Sequence, residues 1–449
     1  MGQGATVTSI RNVTAFVGDA FEPQRVDLVI ADGRITTIEP PGPPAPADPP
    51  EGTIDGSGLL AFPGMIDTHD HLRNLTPGLT LAAGMTLDEW LRVWWAHGAE
   101  MGPEEYRVGA LLGSVQRLKA GVTTVVDHCY TFHRPGLDEA SIAGYEASGV
   151  RWFYARGIMT RPYEPVCESW GEAEDRIRVL VGTGRVPTER LFVAPVSIRQ
   201  AQPEEYRKAR ELADDLDAGV YTHVAETAQE VDLWKGETGR SPIRALDDLG
   251  FLSERSVLVH CVHLDTGEID LLAQRGAHVV HCPTNHLRLA KGFTPVPDLI
   301  AAGVNVAMGV DMMADMLIEM RTELGMHAAY RLDPTAVSQL DAFRMATRNG
   351  ARAVGWGDRL GTLEPGNLAD LALFDARSLL QAPLIDPAHA LLYATDPGMV
   401  RHVLVAGRWV VRDGRSVLVD EEALLHEAED VTRAFLLRIG EPGGPWFTP

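Results

Sequence analysis

The chain has 449 residues, 45% of them hydrophobic and 23% charged, with 40 Lys and Arg against 62 Asp and Glu for a formal net charge of −22. That length carries one large domain and a smaller one. The acidic balance argues against a nucleic-acid or anionic-membrane surface and leaves a small molecule as the expected partner.

In chain order, residues 1–60 read as short strands joined by turns, with the DG of ADGRI as a hairpin signal. PPGPPAPADPP at 40–50 is an extended loop, since proline cannot donate to a ladder. From about residue 61, eight apolar strand segments alternate with helical ones: GMIDTH, VTTVVDH, VRWFYARG, RLFVAPVS, GVYTHVAE, SVLVHC, AHVVHC and NVAMGVD. The count and spacing predict a (β/α)8 barrel over 61–364. Strand-like pattern returns after 365 and ends in a helical tail, so 1–60 and 365–449 are expected to form one β-rich unit, a small β-sandwich built from both ends of the chain. Cys129, Cys167, Cys261 and Cys282 include no CxxC pair and fit reduced thiols. With no secretory pattern at the N-terminus and no run of eighteen apolar residues, a soluble cytoplasmic protein is expected.

Barrel enzymes build their sites at the C-terminal ends of the strands. The chain has fifteen histidines, and eight of them cluster there: His69 and His71, His128, His223, His260 and His263, His281 and His286. Glu226 and Asp311 end the fifth and eighth strands. Three neutral imidazoles and a carboxylate suit a borderline divalent ion, zinc first and ferrous iron second, with a position left for water. Such an ion lowers the pKa of a water from about 16 to about 7. A neighbouring carboxylate must then take its proton, and an acid must serve the leaving group.

The order PGMIDTHDH, THVAE, VLVHCVHLD, VVHCP and GVD, together with the later MATRNGARAVGWGDRLGTLEPGNLADLALFD, resembles the amidohydrolase superfamily, and within it the branch of triazine hydrolases and aromatic aminohydrolases. The resemblance implies that His69, His71, His223 and Asp311 hold one metal ion. It also implies that Glu226 shuttles protons, that Asp311 takes the proton of the attacking water, and that His260 contacts the tetrahedral oxygen. His263 competes with His260 for that last role. No lysine ends the fourth strand (RLFVAPVSIRQ), so a single metal is expected rather than a carbamate-bridged pair.

The implied activity is hydrolytic deamination of an amino-substituted purine, pyrimidine or triazine, with release of ammonia. The alternative is a hydrolase of the same branch that expels chloride, an alkylamine or the amine of a urea or thiocarbamate. A catalytically dead scaffold would have lost ligands, and all four matching positions are intact. A homodimer or larger assembly is an expectation from the resemblance alone.

Two loops depart from the branch: HCPTNH, where Asn285 and His286 replace a Ser-Asn pair, and GVDMMADM, with Val310, Met312, Met313 and Met316. These departures bear on the substrate. Trp90, Trp94 and Trp95 fall at helical spacing in MTLDEWLRVWWAHGAEM and offer either a stacking wall or core. Arg156, at the end of the third strand, is a candidate to hold a substrate carbonyl or carboxylate. His263, His281 and His286 are further candidate substrate contacts.

Overall fold

The computed structural model describes residues 8–42, 52–73, 84–312 and 315–440. Most of the proline-rich 40–50 loop and Met313 therefore lie outside the described residues. Both chain ends feed one sheet of nine strands. From the first end come β1 (Ser9–Val17), β2 (Glu22–Ala31), β3 (Arg34–Glu39), β4 (Thr53–Asp55) and β5 (Leu59–Pro63). The DG hairpin joins β2 to β3, with Asp32 at φ 50° and Gly33 at φ 74°, the two positive angles that a tight two-residue turn needs.

The barrel strands follow as β6 (Met65–Asp70), β7 (Val122–Cys129), β8 (Arg151–Ile158), β9 (Leu191–Pro195), β10 (Gly219–Val224), β11 (Ser256–His260), β12 (His278–His281) and β13 (Asn305–Met308). They pair in parallel in sequence order, as the eight apolar segments predicted. The second end supplies β14 (Leu371–Asp375), β15 (Val400–Val405), β16 (Arg408–Arg412) and β17 (Arg415–Ser416), and β14 pairs antiparallel with β5 to join the two ends. The helix Glu421–Arg438 lies against the helix Pro103–Lys119, tied by Lys119 to Glu421 at 2.6 Å.

The barrel interior is filled by side chains from alternate strand positions, including Ile66, Val126, Phe153, Phe192, Tyr221, Val257, Val259 and Val280. The residues between them, such as Val125, Tyr154, Leu258 and Val279, face the helical layer. This two-sided burial is why the strands read as continuous apolar runs. β13 returns beside β6, where Asp311 N donates to His69 O at 2.9 Å and Thr68 Oγ1 to Met308 O at 2.6 Å. Gly309 is required at this seam, because a Cβ there would stand 2.6 Å from the Cβ of His69. The four cysteines are free. No described helix is long and apolar enough to cross a membrane.

Candidate metal centre and catalytic pocket

His69 and His71 leave the end of β6 on one side, their ring centroids 4.8 Å apart. The two aspartates of DTHDH organise the backbone around them. Asp67 Oδ1 accepts from His69 N (3.2 Å) and Val310 N (3.0 Å), and Asp70 Oδ1 accepts from His71 N (2.8 Å) and Met312 N (3.0 Å). Arg117 neutralises this buried pair, with Nε 2.8 Å from Asp70 and 3.3 Å from Asp67. The carboxylates thus lash the first barrel strand to the loop that carries Asp311.

Hydrogen bonding fixes where the imidazole protons sit. His71 Nδ1 lies 2.7 Å from the His128 carbonyl and His223 Nδ1 lies 2.8 Å from the Val196 carbonyl, acceptors that require N–H on both rings. Tyr221 OH donates to Thr68 O at 2.8 Å and so accepts from His69 Nδ1, also at 2.8 Å. All three Nε2 atoms are left as lone pairs. Burial disfavours the charged forms of His71 and His223, pushing His71 down to about 4 and His223 well below its usual value, with the neighbouring imidazoles adding to the effect.

Those lone pairs nevertheless converge. His69 Nε2 is 3.2 Å from His223 Nε2, and Asp311 Oδ1 is 3.4 Å from His69 Nε2 and 3.5 Å from His71 Nε2. Lone pairs aimed at one another repel unless a cation lies between them. The donor atoms of His69, His71, His223 and Asp311, the residues that the resemblance implied, therefore fit a divalent ion, and each ring is oriented through its other nitrogen.

Beside this centre, His260 Nε2 stands 3.3 Å from Glu226 Oε1 and 3.9 Å from Asp311 Oδ2. His260, Asp311 and Met312 have φ of 79°, 49° and 67°, left-handed values that cost energy in residues other than glycine and that cluster here at the barrel mouth. The positive φ takes His260 out of strand alternation. Facing two carboxylates, His260 carries its proton on Nε2, so its Nδ1 accepts from His286 Nε2 at 2.9 Å.

The pocket over the centre is lined by Trp90, Leu87, Leu91, Tyr130, Arg199, Gln200, Asn285, Arg288, Lys291 and Met312 as well as His71, His223, Glu226, His260 and Asp311. Trp90 is thus a wall of the pocket. Trp94 stacks behind it at 5.7 Å and packs on the guanidinium of Arg73, away from the pocket. Trp95 is core.

Four further candidates, Arg156, His281, His263 and His286, stand elsewhere than sequence reading put them. Arg156 is fully buried on the outer side of β8, with Nε 3.1 Å from Asp138 and Nη2 3.0 Å from Glu168, so its charge is spent within the protein. His281 faces the outer helix and bonds Glu323 at 2.5 Å. His263 bonds the Lys291 carbonyl at 3.1 Å and lines a separate cavity, which leaves His260 as the histidine at the centre. His286 supports His260 from behind. His128 stacks on His223 at 4.6 Å.

Sequence reading missed Lys291 and Arg199. Lys291 Nζ lies 2.5 Å from Glu226 Oε1. Arg199 binds Glu230 (3.3 Å), Glu226 (3.5 Å) and Asp88 (3.1 Å). Arg199 sits at the end of the fourth strand, a segment informative here for more than its lack of lysine. Lys291 carries no signal in HLRLAKGF beyond lying close after a site strand.

Residues 60–410 match the model of the amidohydrolase family. The chain is 33% identical over 444 residues to a 5-methylthioadenosine/S-adenosylhomocysteine deaminase of Pelotomaculum thermopropionicum, covering 95% of this chain and 96% of that one. An adenosine deaminase from Xanthomonas campestris, solved with bound zinc, superposes with a TM-score of 0.87 at 30% identity, covering 98% and 99% of the two chains. The atrazine chlorohydrolase TrzN of Arthrobacter aurescens TC1, complexed with zinc, gives a TM-score of 0.85 at 25% identity, covering 95% and 100%.

Proposed function

The chain belongs to the amidohydrolase family, and from that membership we propose that it is a metal-dependent hydrolytic deaminase of an aminopurine, in the form of an adenosine-like nucleoside. The observation that carries this reading is the convergence of the His69, His71 and His223 lone pairs and Asp311 on one point, with Glu226 and His260 at its edge. A divalent ion held there, zinc in this reading, supplies the Lewis acidity that makes water a nucleophile at neutral pH.

The chain's own groups do the rest. Asp311 accepts the proton of the attacking water. Glu226 gives a proton to the ring nitrogen next to the amino-bearing carbon, and a C–O bond forms at that carbon. Glu226 recovers a proton from the new hydroxyl, which becomes the carbonyl of the product, and passes it to the amine as the C–N bond breaks and ammonia leaves; the proton held by Asp311 then restores Glu226. His260 Nε2–H donates to the oxygen as its charge develops, a contact worth roughly 3 kcal/mol in comparable sites. Trp90, Leu87 and Leu91 give the flat ring an apolar wall.

The test is ammonia and chloride release, read with mass spectrometry of the product, over adenosine-type nucleosides, aminopyrimidines, aminotriazines, their chloro analogues and aryl ureas. Ammonia from an aminopurine, lost in Glu226→Gln with metal retained and lost with metal in Asp311→Asn, supports the reading. Turnover of chlorotriazines alone moves the protein to the chloride-expelling alternative, which the similarity to TrzN favours.

A further inference from the structure

A second set of buried donors lies behind the barrel and takes no part in the steps above. His281 ends β12 on its outer side, and Glu323 and His327 lie one turn apart on the covering helix Met316–Arg331. Their exposures are 0%, 0% and 1%. His281 Nδ1 is 2.5 Å from Glu323 Oε2. His327 Nε2 is 3.2 Å from Glu323 Oε1, without hydrogen-bond geometry. One donor atom from each residue lies within 4.8 Å of the others.

Beside them opens a cavity of about 510 Å³, lined by His327, His263, Asp298 and the stacked rings of Phe293 and Tyr330, 4.4 Å apart.

A packing role explains this set poorly, because a buried ionic cluster is commonly no more stable than apolar side chains of the same volume. Glu323 and His327, four residues apart, project from one helix face, and His281 is fixed by a barrel strand, so the donors sit on rigid elements.

We infer that His281, Glu323 and His327 form a second divalent-cation site, of the zinc class, with its open coordination position towards the cavity that His327 lines. Two imidazole nitrogens and one carboxylate oxygen are a donor set that zinc accepts with water in the fourth place. Ligand bonds of about 2.0–2.2 Å put donor atoms roughly 3–3.5 Å apart, so His281 Nδ1 and Glu323 Oε2 need to part by no more than about 1 Å. Binding releases the proton they share.

The test uses the full chain, stripped with chelator and reloaded with zinc. Elemental analysis of the unaltered protein is expected to give two zinc ions per chain, falling to one in His327→Ala and in Glu323→Gln. Anomalous diffraction at the zinc edge on crystals of the unaltered protein is expected to show a peak between His281, Glu323 and His327, which decides the matter even where the variants fold badly. One zinc per chain in the unaltered protein, a second zinc elsewhere, or no peak among these three residues overturns the inference.

Discussion

Lys291 Nζ lies 2.5 Å from Glu226 Oε1 and 3.9 Å from Asp311 Oδ2, so one buried ammonium joins the two carboxylates that handle protons in the proposed reaction. Lys291 fixes Glu226 beside His260 and compensates the charge that Glu226 acquires once it has given up its proton. Removing it leaves a buried carboxylate without its nearest cation. Lys291→Met is expected to lower kcat about 100-fold, with metal content unchanged and part of the rate restored in Lys291→Arg. Steady-state kinetics beside elemental analysis checks this, and an unchanged kcat in Lys291→Met excludes the role.

His286 acts through His260, whose Nδ1 it bonds at 2.9 Å. Without that donor, the His260 ring is free to turn and to move its proton from Nε2. His286→Ala is expected to cut kcat about 10-fold and to leave KM nearly unchanged, as for other residues that orient a site imidazole. A rise in KM at constant kcat would instead place His286 in contact with substrate.

Arg156 compensates Asp138 and Glu168 within the barrel wall. Arg156→Met leaves buried Asp138 without its guanidinium and Glu168 with Arg176 alone, and the expected cost is about 3–5 kcal/mol. Denaturant unfolding should register that loss while KM of the folded fraction stays at its original value. A large KM effect at unchanged stability would restore Arg156 as a substrate contact.

Glu319 accepts from Thr284 N at 2.9 Å, and burial raises its carboxyl from 4.5 to about 8. Between those values the folded chain keeps a proton that the unfolded chain has released. Stability through this group is therefore complete below about 4.5 and is lost as pH rises towards 8, at up to about 1.4 kcal/mol per unit. Glu319→Gln should flatten the fall of Tm across that window. A Tm profile identical in variant and parent would show that Glu319 titrates alike in both states.

The local pattern alone determined a good deal of this protein. The eight apolar runs, six of them closing on histidine or carboxylate, specify a parallel barrel because strands buried on both faces must be apolar throughout and because their polar residues are left for the ends. The spacing in DTHDH places His69 and His71 together, since strand side chains repeat every two residues.

Only the tertiary structure decided which face of each strand is inward. Arg156 lies near the end of β8 and His281 ends β12, yet each shares its parity with outward residues, Tyr154 and Val279, and so meets the helical layer instead of the pocket. His260 shares its parity with outward Leu258, and its φ of 79° turns it back to the centre. Lys291 reaches Glu226 from a loop, along a path no periodicity encodes. Local sequence sets periodicity, because that depends on one residue's neighbours along the chain. Barrel register and left-handed turns depend on strands hundreds of residues apart, as the Asp311 N to His69 O bond illustrates, and these assign each polar side chain its partner.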